Sequence, residues 1–153
     1  MPQKDIENGD TTPSTDDYTD FGNSPVDGGT VDRIFEIENF GAGALNLTGV
    51  PIVAISGAHF ADFTVIDQPA TQVASGNNDT FTIRFNPSAA GIRTATVSIS
   101  SNDPNRNPYT FTIQGTGLPT VPVFGKAGMV LLITALALTG VVVLLRRRPQ
   151  IRW

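Results

Sequence analysis

The sequence predicts an all-β domain, built as a two-sheet antiparallel sandwich of about seven strands, with one transmembrane helix after it. Short stretches in which apolar and polar residues alternate are separated by clusters of Gly, Pro, Asn, Asp and Ser. Between Met1 and Gly117, no stretch shows a helical period of useful length. The run 127–145 carries no charged residue. An open barrel is the alternative arrangement of the same strands.

The first clear strand is predicted at residues 31–38, where one face is mostly apolar and the other mostly charged. The residues on its inward face are Val31, Arg33, Phe35 and Ile37. Gly41 and Gly43 then allow a turn, because glycine adopts positive φ without steric cost. A second strand is expected at residues 45–47, and Pro51 indicates a strand edge or a bulge after it.

The second half of the domain contains further extended segments. One is centred on Phe63 and Val65, and the clearest alternation follows at residues 80–85. Residues 93–101 and 109–117 repeat the pattern, with the turn cluster "SNDPNRNP" between them. The apolar residues that we expect in the core are Phe35, Ile37, Leu45, Leu47, Phe81, Ile83, Phe85, Val97, Ile99, Phe111 and Ile113.

The C-terminal apolar run has the length of a membrane span. As a helix, the stretch from Ala127 to Leu145 reaches about 28 Å, close to the ~30 Å hydrocarbon core of a bilayer. A buried helix of a soluble domain normally shows a polar stripe, and this run shows none. The basic residues directly after it are Arg146, Arg147 and Arg148. Because arginines beside a span favour the cytoplasmic side, we expect a single-pass protein with its domain at the extracytoplasmic or cell-surface side.

Charge divides the chain into an acidic domain and a basic tail. All 14 acidic residues lie at or before Asp103, whereas half of the 10 basic residues lie at or after Lys126. An acidic domain argues against nucleic acid as a partner, since nucleic-acid binding needs a basic face. The chain has no cysteine, which excludes disulfides, thiolate metal sites and cysteine nucleophiles.

No catalytic constellation is visible in the sequence. His59 is the only histidine, and Asp62 is the one acidic residue close to it in the chain. Metal sites and acid–base catalysis need more partners than this, so we expect His59 to be a surface or loop residue. Nucleophile-elbow and phosphate-loop patterns are missing as well. The sequence therefore predicts neither an enzyme nor a bound cofactor.

The N-terminal segment contains the strongest candidate for a metal site. Four carboxylates lie within eleven residues, and hard oxygen ligands suit Ca²⁺. These carboxylates are Asp10, Asp16, Asp17 and Asp20. Their spacing matches no EF-hand loop, which needs alternate ligands, a central glycine and a terminal glutamate. The sequence favours a solvated segment whose Asp and Thr side chains bond local backbone amides, and Ca²⁺ binding is the alternative.

Three long stretches resemble a bacterial family. They are "NGDTTPSTDDYTDFG", "RIFEIENFGAGALNLTGVPIVAISGAHFADFTV" and "FTIRFNPSAAGIRTATVSISSNDPNRNPYTFTIQGTG". Together they are similar to the choice-of-anchor D domain, which is itself similar to the immunoglobulin-like hydin and major-sperm-protein-like modules. The resemblance covers roughly residues 6–117. It implies a seven-stranded immunoglobulin-like sandwich on an exported, surface-attached protein, and it implies no catalytic residue.

The segment before the apolar run resembles a C-terminal sorting signal. Exosortase-type enzymes of Gram-negative bacteria read a short proline-containing motif, a span and an arginine cluster. The residues in the place of the motif are Val121, Pro122, Val123 and Phe124. The resemblance implies an exosortase-type enzyme as a processing partner, although the last two residues depart from the better-known Ile-Pro-Thr-Leu form. The stretch "LPTVP" departs from the sortase signal, so sortase attachment is not expected.

The predicted organisation follows from these assignments. It comprises a disordered start at 1–5, the sandwich at 6–117, a linker at 118–126, the transmembrane helix at 127–145 and a basic cytoplasmic tail at 146–153. We expect a non-catalytic, membrane-anchored envelope module with a structural or adhesive role. The alternative is a module that captures a protein or a glycan, with Ca²⁺ assisting through the acidic segment.

Export of the domain poses a conflict. The first thirty residues lack the apolar stretch of a secretory signal, although the predicted topology requires export. One explanation is a tail-anchored protein that keeps its domain in the cytoplasm, against the positive-inside preference. The other is a fragment or a misassigned start, with a signal peptide lost upstream. The resemblance favours the fragment, because it begins near Ile6.

Overall fold

The computed structural model describes residues 4–120. Across this range it contains no helix that is both long and apolar enough to cross a bilayer. The predicted sorting motif at 121–124, the membrane helix at 127–145 and the tail at 146–153 lie outside the described residues.

The described chain is all-β apart from one short 3₁₀ turn at Phe60–Asp62. In its longer strands apolar and polar side chains alternate, so that one face is buried and the other meets water. The strands are β1 Asp20–Pro25, β2 Val31–Glu38, β3 Leu45–Asn46, β4 Val53–Ser56, β5 Phe63–Asp67, β6 Gln72–Val73, β7 Asn78–Phe85, β8 Gly91–Ile99 and β9 Tyr109–Leu118. Because β3 and β6 have two residues each, the described chain has seven longer strands, the number expected.

Two larger sheets form a sandwich, as the sequence predicts. One sheet has the strand order β1-β9-β8-β4, the other has the order β2-β7-β5, and β3 pairs with β6 in a small third ladder. The pairs β2–β7, β5–β7, β4–β8 and β8–β9 are antiparallel. Side chains from the two larger sheets meet in a common core.

The prediction of a purely antiparallel sandwich is wrong at β1, which runs parallel to β9. Pro25 lies opposite Leu118, the last residue of β9. Near the other end of β9, Asp10 forms a parallel bridge with Phe111. The N-terminal region therefore follows the direction of β9 along one edge, while β8 occupies the other edge. As a result, β9 is hydrogen-bonded on both sides.

The core contains most of the residues that alternation predicts. Two of them, Ile37 and Leu45, are only half-buried, because they line an open groove rather than the closed interior. The buried apolar residues are Phe21, Phe35, Leu47, Val53, Phe63, Val73, Phe81, Ile83, Phe85, Ala95, Val97, Ile99, Phe111 and Ile113. Phe21 comes from the polar N-terminal region, for which the sequence predicts no strand.

An aromatic cluster joins the two sheets. Phe63 stacks on Phe85 with 4.9 Å between the ring centroids, and Phe35 stacks on Phe81 at 5.3 Å. Phe21 lies between these pairs, with its centroid 5.5 Å from that of Phe63 and 6.3 Å from that of Phe35. Aromatic pairs at such distances stabilise a core beyond the area that they bury. β1 is thus held both by backbone pairing with β9 and by its phenylalanine.

Arg33 is half-buried on the inward side of β2, where the alternation places it. Its guanidinium carbon lies 5.0 Å from the ring centroid of Tyr18, a distance typical of a cation–π interaction. Tyr18 has a left-handed backbone conformation with φ of 66°, which costs a non-glycine residue roughly 1–2 kcal/mol. The contact with Arg33 helps to offset this cost and fixes the N-terminal region against β2.

Gly115 in β9 makes room for the ring of Phe85. A Cβ atom at Gly115 would lie 2.5 Å from Phe85 Cε1, far inside van der Waals contact. At Gly117, a Cβ atom would lie 2.2 Å from the carbonyl oxygen of Ala89. The "GTG" at the end of the domain is therefore a packing requirement of β9.

We expect Gly115→Ala to lower the free energy of unfolding by about 1–3 kcal/mol, because the added methyl group overpacks the core against Phe85. Chemical denaturation of the full chain, followed by circular dichroism, measures this change. Gly43→Ala is the matched control, since nothing lies within 4 Å of a Cβ atom there and its φ is not positive. It should change the free energy of unfolding by less than about 1 kcal/mol.

Phe85→Leu removes the ring atoms nearest the new methyl group. In this background, Gly115→Ala should lower the free energy of unfolding by about 0.5–3 kcal/mol less than it does in the unsubstituted chain. Equal costs in the two backgrounds would show that the ring is not the reason for the glycine.

Candidate functional site

The acidic residues considered as Ca²⁺ ligands do not form a common site. Between residues 4 and 120, no group of three or more His, Cys, Asp or Glu side chains could hold a metal ion. Asp10 Oδ1 accepts bonds from the N–H and the hydroxyl of Thr12, at 2.8 and 2.6 Å. These bonds hold the pKa of Asp10 below its ordinary value. Asp17 is buried, and its Oδ1 accepts a bond from the N–H of Thr19 at 3.0 Å.

The other two candidates differ from each other in their bonds. Asp20 Oδ1 accepts a bond from the N–H of Gly22, and its Oδ2 accepts one from Gln114 Nε2, both at 2.8 Å. Asp16 is exposed, and its carbonyl oxygen accepts a bond from the N–H of Lys4 at 3.1 Å. Three of the four carboxylates thus close local turns, which is the arrangement that the sequence favours over a Ca²⁺ site.

The N-terminal residues are bonded to β9 before β1 begins. The N–H of Gly9 donates to the carbonyl of Thr110 at 2.7 Å, and the N–H of Thr112 donates to the carbonyl of Asp10 at 2.8 Å. The alternating donation is that of a parallel ladder. Sequence reasoning missed this pairing, because backbone bonds of a polar segment leave no apolar pattern.

A groove of about 590 Å³ lies between β2 and the N-terminal residues. Its floor consists of the buried side chains Phe35, Leu47, Phe81, Ile99 and Phe111. Its walls consist of the half-buried side chains Ile6, Ile37, Leu45 and Tyr109. The remaining lining residues form a rim that is charged except for Phe40 and Ser101: Lys4, Asp5, Glu7, Glu36, Glu38, Phe40, Ser101, Asp103 and Arg106. A concave apolar floor below a few charged groups is typical of binding sites.

The rim of the groove is acidic. It carries five carboxylates against two cations, a net charge of −3. Between residues 4 and 120 the ion pairs are Asp32–Arg84 and Asp62–Arg93, and neither belongs to the groove. The negative charge of the rim is therefore not neutralised by ion pairing within the described chain. Two acid–Ile–acid triplets, at 5–7 and 36–38, are the sequence signal that could have indicated this groove.

Tyr109 holds the N-terminal side of the groove in place. Its hydroxyl donates to the carbonyl of Ile6. Burial, followed by the negative charge of Glu7, raises the pKa of Tyr109 above its ordinary value. The hydroxyl therefore keeps its proton and donates this bond throughout the physiological pH range.

A buried ion pair lies at the 3₁₀ turn. The carboxylate of Asp62 accepts a bond from Arg93 Nε and another from the N–H of Ser88, the latter at 3.1 Å. Arg93 Nη2 also donates to Ser88 Oγ at 3.2 Å. Burial raises the pKa of Asp62, but the bonds from Ser88 and Arg93 outweigh burial, so the pKa lies below its ordinary value. The pair ties the turn to β8 and to the loop before β8.

His59 is held by the start of β8. It is half-buried, and its Nδ1 accepts a bond from the N–H of Thr94 at 3.0 Å. Because a backbone N–H can only donate, Nδ1 carries no proton and the ring proton lies on Nε2. Asp62 directs both carboxylate oxygens to Arg93 and Ser88. The geometry gives His59 a structural contact with β8.

We expect Asp62→Asn to lower the free energy of unfolding by about 2–3 kcal/mol at pH 7, because the charge that pairs with Arg93 is lost. The pKa of Asp62 is depressed in the folded state. Its contribution is therefore present above the unfolded pKa of about 3.9 and is lost as the pH falls through the lower folded value. Urea denaturation of the full chain at pH 7 and at pH 3 measures both effects.

Asp32→Asn is the matched control for this substitution. Asp32 pairs with Arg84 at 2.8 Å on an exposed surface, so its loss should cost about 0–1 kcal/mol. Equal losses for the two variants at pH 7, or a cost of Asp62→Asn that is as large at pH 3 as at pH 7, would contradict the assigned role of the buried pair.

Comparison with known proteins identifies the domain. Residues 14–116 match the family described as HYDIN/CFA65/VesB-like, Ig-like domain. The chain belongs to this family. Its immunoglobulin-like fold, which the resemblance to hydin-like modules implies, is thereby confirmed. The narrower resemblance to choice-of-anchor D proteins, and the sorting signal, stay predictions.

Solved structures include proteins that are similar to this HYDIN/CFA65/VesB-like domain. A protein of unknown function from Porphyromonas gingivalis W83 is 25% identical over 63% of this chain and 42% of its own, with a TM-score of 0.52. The secreted serine protease VesC from Vibrio cholerae is 14% identical over 67% of this chain and 22% of its own, with a TM-score of 0.51, and shares the fold alone. The chain thus spans less than half the length of either protein. No curated protein matches the chain.

Proposed function

We propose that the chain is a non-catalytic structural module of a bacterial envelope protein, with its immunoglobulin-like domain outside the cytoplasm and residues 127–145 as its membrane anchor. The observation that carries this proposal is the parallel pairing of the first strand with the last strand. In an anchored module, tension acts between an N-terminal attachment and the C-terminal anchor. The direction of that tension relative to the strands decides how well the domain resists it.

In this fold, the proposed tension between the two ends of the domain is directed along the strands. The N-terminal residues join β9 near Thr110, and the chain leaves β9 at Leu118. At about 3.3 Å per residue, the strand separates these two points by roughly 25–30 Å. Opposed pulls on the two ends therefore shear β1 against β9, so that the bonds between them carry the load together. Pulling strands apart from one end would instead break the bonds one at a time.

The acidic domain and the basic tail support the proposed topology, because arginines beside a span favour the cytoplasmic side. The resemblance to choice-of-anchor D proteins supports surface attachment. In this proposal, an exosortase-type enzyme reads the motif at 121–124 and processes the tail. The second candidate function is capture of a protein or a glycan, and the acidic groove favours it.

We expect the domain to resist force better along β9 than across it. Because the chain has no native cysteine, handles can be attached through Lys4→Cys and Thr120→Cys in the full chain. Single-molecule pulling between these points should show a high unfolding force. The matched geometry uses Ala90→Cys and Thr120→Cys, at the adjacent ends of β8 and β9, where the bonds open one at a time. A lower force in the first geometry than in the second would contradict the proposed resistance to tension along β9.

We expect the full chain, expressed behind a standard signal peptide in a bacterial host, to sediment with membranes and to resist extraction by carbonate. Leu136→Arg with Leu138→Arg should release it, because each charge near the centre of a span costs about 2.5–3.5 kcal/mol. Thr120→Arg, outside the apolar run, is the control and should leave the chain in the membrane fraction. Recovery of the unsubstituted chain in the soluble fraction would rule out the anchor.

A further inference from the structure

β2 has the longest regular free edge among the described strands. It ends the sheet order β2-β7-β5, and its eight residues pair with β7 without a register shift. The other edge strands are interrupted or short, because β1 and β5 contain register shifts and β4 has four residues. A regular edge presents N–H and C=O groups that can pair with another extended chain.

Half of the backbone groups of β2 point away from β7. The N–H of Asn39 donates to the carbonyl of Asn77 at 2.9 Å, which continues the ladder at an odd-numbered position. Because alternate residues of an antiparallel strand bond to the same neighbour, the backbone groups of even-numbered residues face the free edge. In the second half of β2 these residues are Glu36 and Glu38.

The groove lies beside this half of β2. Ile37 lines its wall, and Phe35 lies in its floor. At the mouth of the groove, Phe40 is 88% exposed, an unusual position for a phenylalanine. An extended peptide paired with β2 would direct every second side chain towards this apolar space and the others towards solvent. Strand addition with pockets for alternate side chains is an established mode of peptide recognition.

We propose that the groove binds an extended peptide with alternating apolar and basic side chains, which pairs with the free edge of β2. The apolar side chains would cover the floor, and the basic ones would meet the rim, whose net charge is −3. A second copy of this chain is a poor occupant. Pairing of two β2 edges would bring the carboxylates of Glu36 and Glu38 close to those of the other copy, and like charges across strands are destabilising.

Peptide binding does not depend on the proposed resistance to tension. The groove is lined by β2, the N-terminal residues, the end of β8 and the start of β9, whereas shear resistance comes from the backbone bonds between β1 and β9, to which Glu38 does not contribute. The two proposals can therefore fail separately, because Glu38→Lys should change peptide binding and leave the unfolding force along β9 unchanged.

The test uses the full chain in a non-ionic detergent and a fluorescein-labelled synthetic peptide. The peptide has about seven residues, close to a usual strand length, and alternates lysine with valine around a central phenylalanine. Fluorescence anisotropy should show saturable binding that weakens as salt rises from about 0.01 to 1 M, since the Debye length then shrinks from about 30 to 3 Å. A peptide with glutamate in place of lysine should bind at least about tenfold more weakly.

Matched variants locate the site on the protein. Glu38→Lys should weaken binding about fivefold or more, whereas Asp27→Lys makes the same charge change at an exposed turn away from the groove and should have little effect. Phe40→Ala should also weaken binding, whereas Phe60→Ala, another exposed phenylalanine outside the groove, should not. A peptide N-methylated at alternate residues, on the edge that would face β2, should lose binding, because those N–H groups can no longer donate.

Four results would overturn the proposal. The first is no saturable binding up to millimolar peptide, and the second is equal weakening by the groove variants and their controls. The third is undiminished binding of the N-methylated peptide, which would exclude strand addition as the mode of binding. The fourth is a dimer of the chain in sedimentation that the peptide dissociates, which would make a second copy the natural occupant.

Discussion

β9 is the strand on which the rest of the domain depends, because it is hydrogen-bonded along both edges. β8 pairs with it antiparallel over nine residue pairs, and the N-terminal region and β1 pair with it in parallel. Its inward residues Phe111 and Ile113 belong to the core. At Gly115 the backbone itself takes the place of a side chain, because the Phe85 ring lies against it. Both sheets are therefore positioned by the backbone of one strand.

The aromatic cluster extends this constraint through the core. Phe85 stacks on Phe63 within one sheet. Across the sandwich, the ring centroid of Phe21 lies 6.0 Å from that of Phe85. Close packing of such rings leaves little free volume, so a substitution at one ring disturbs the packing of its neighbours. The packing is less complete beside the end of β2, where Ile37 and Leu45 are half-buried. The groove is thus an opening of the core itself.

Three groups of charged residues in this domain differ in their surroundings and therefore in their roles. Asp62 and Arg93 form a buried pair that ties a turn to β8, and its bonds outweigh the cost of burying the carboxylate. Asp32 and Arg84 form an exposed pair across β2 and β7, which contributes less because water screens it. The carboxylates of the groove rim have no ion-pair partner among residues 4–120. Charge on an acidic edge strand disfavours pairing with a second acidic strand and favours pairing with a basic one.

The sequence by itself determined the fold class, most of the longer strands and most of the core. Period-two alternation is a local property, so residues such as Phe81, Ile83 and Phe85 show their buried face without knowledge of their partners. Only the tertiary structure decided the place of the N-terminal region. In that region the inward positions are occupied by Asp17 and Thr19 as well as Phe21, so burial there leaves no apolar pattern. The parallel pairing with β9 and the groove beside β2 depend on contacts between residues about a hundred positions apart in the chain, and local patterns do not encode such contacts.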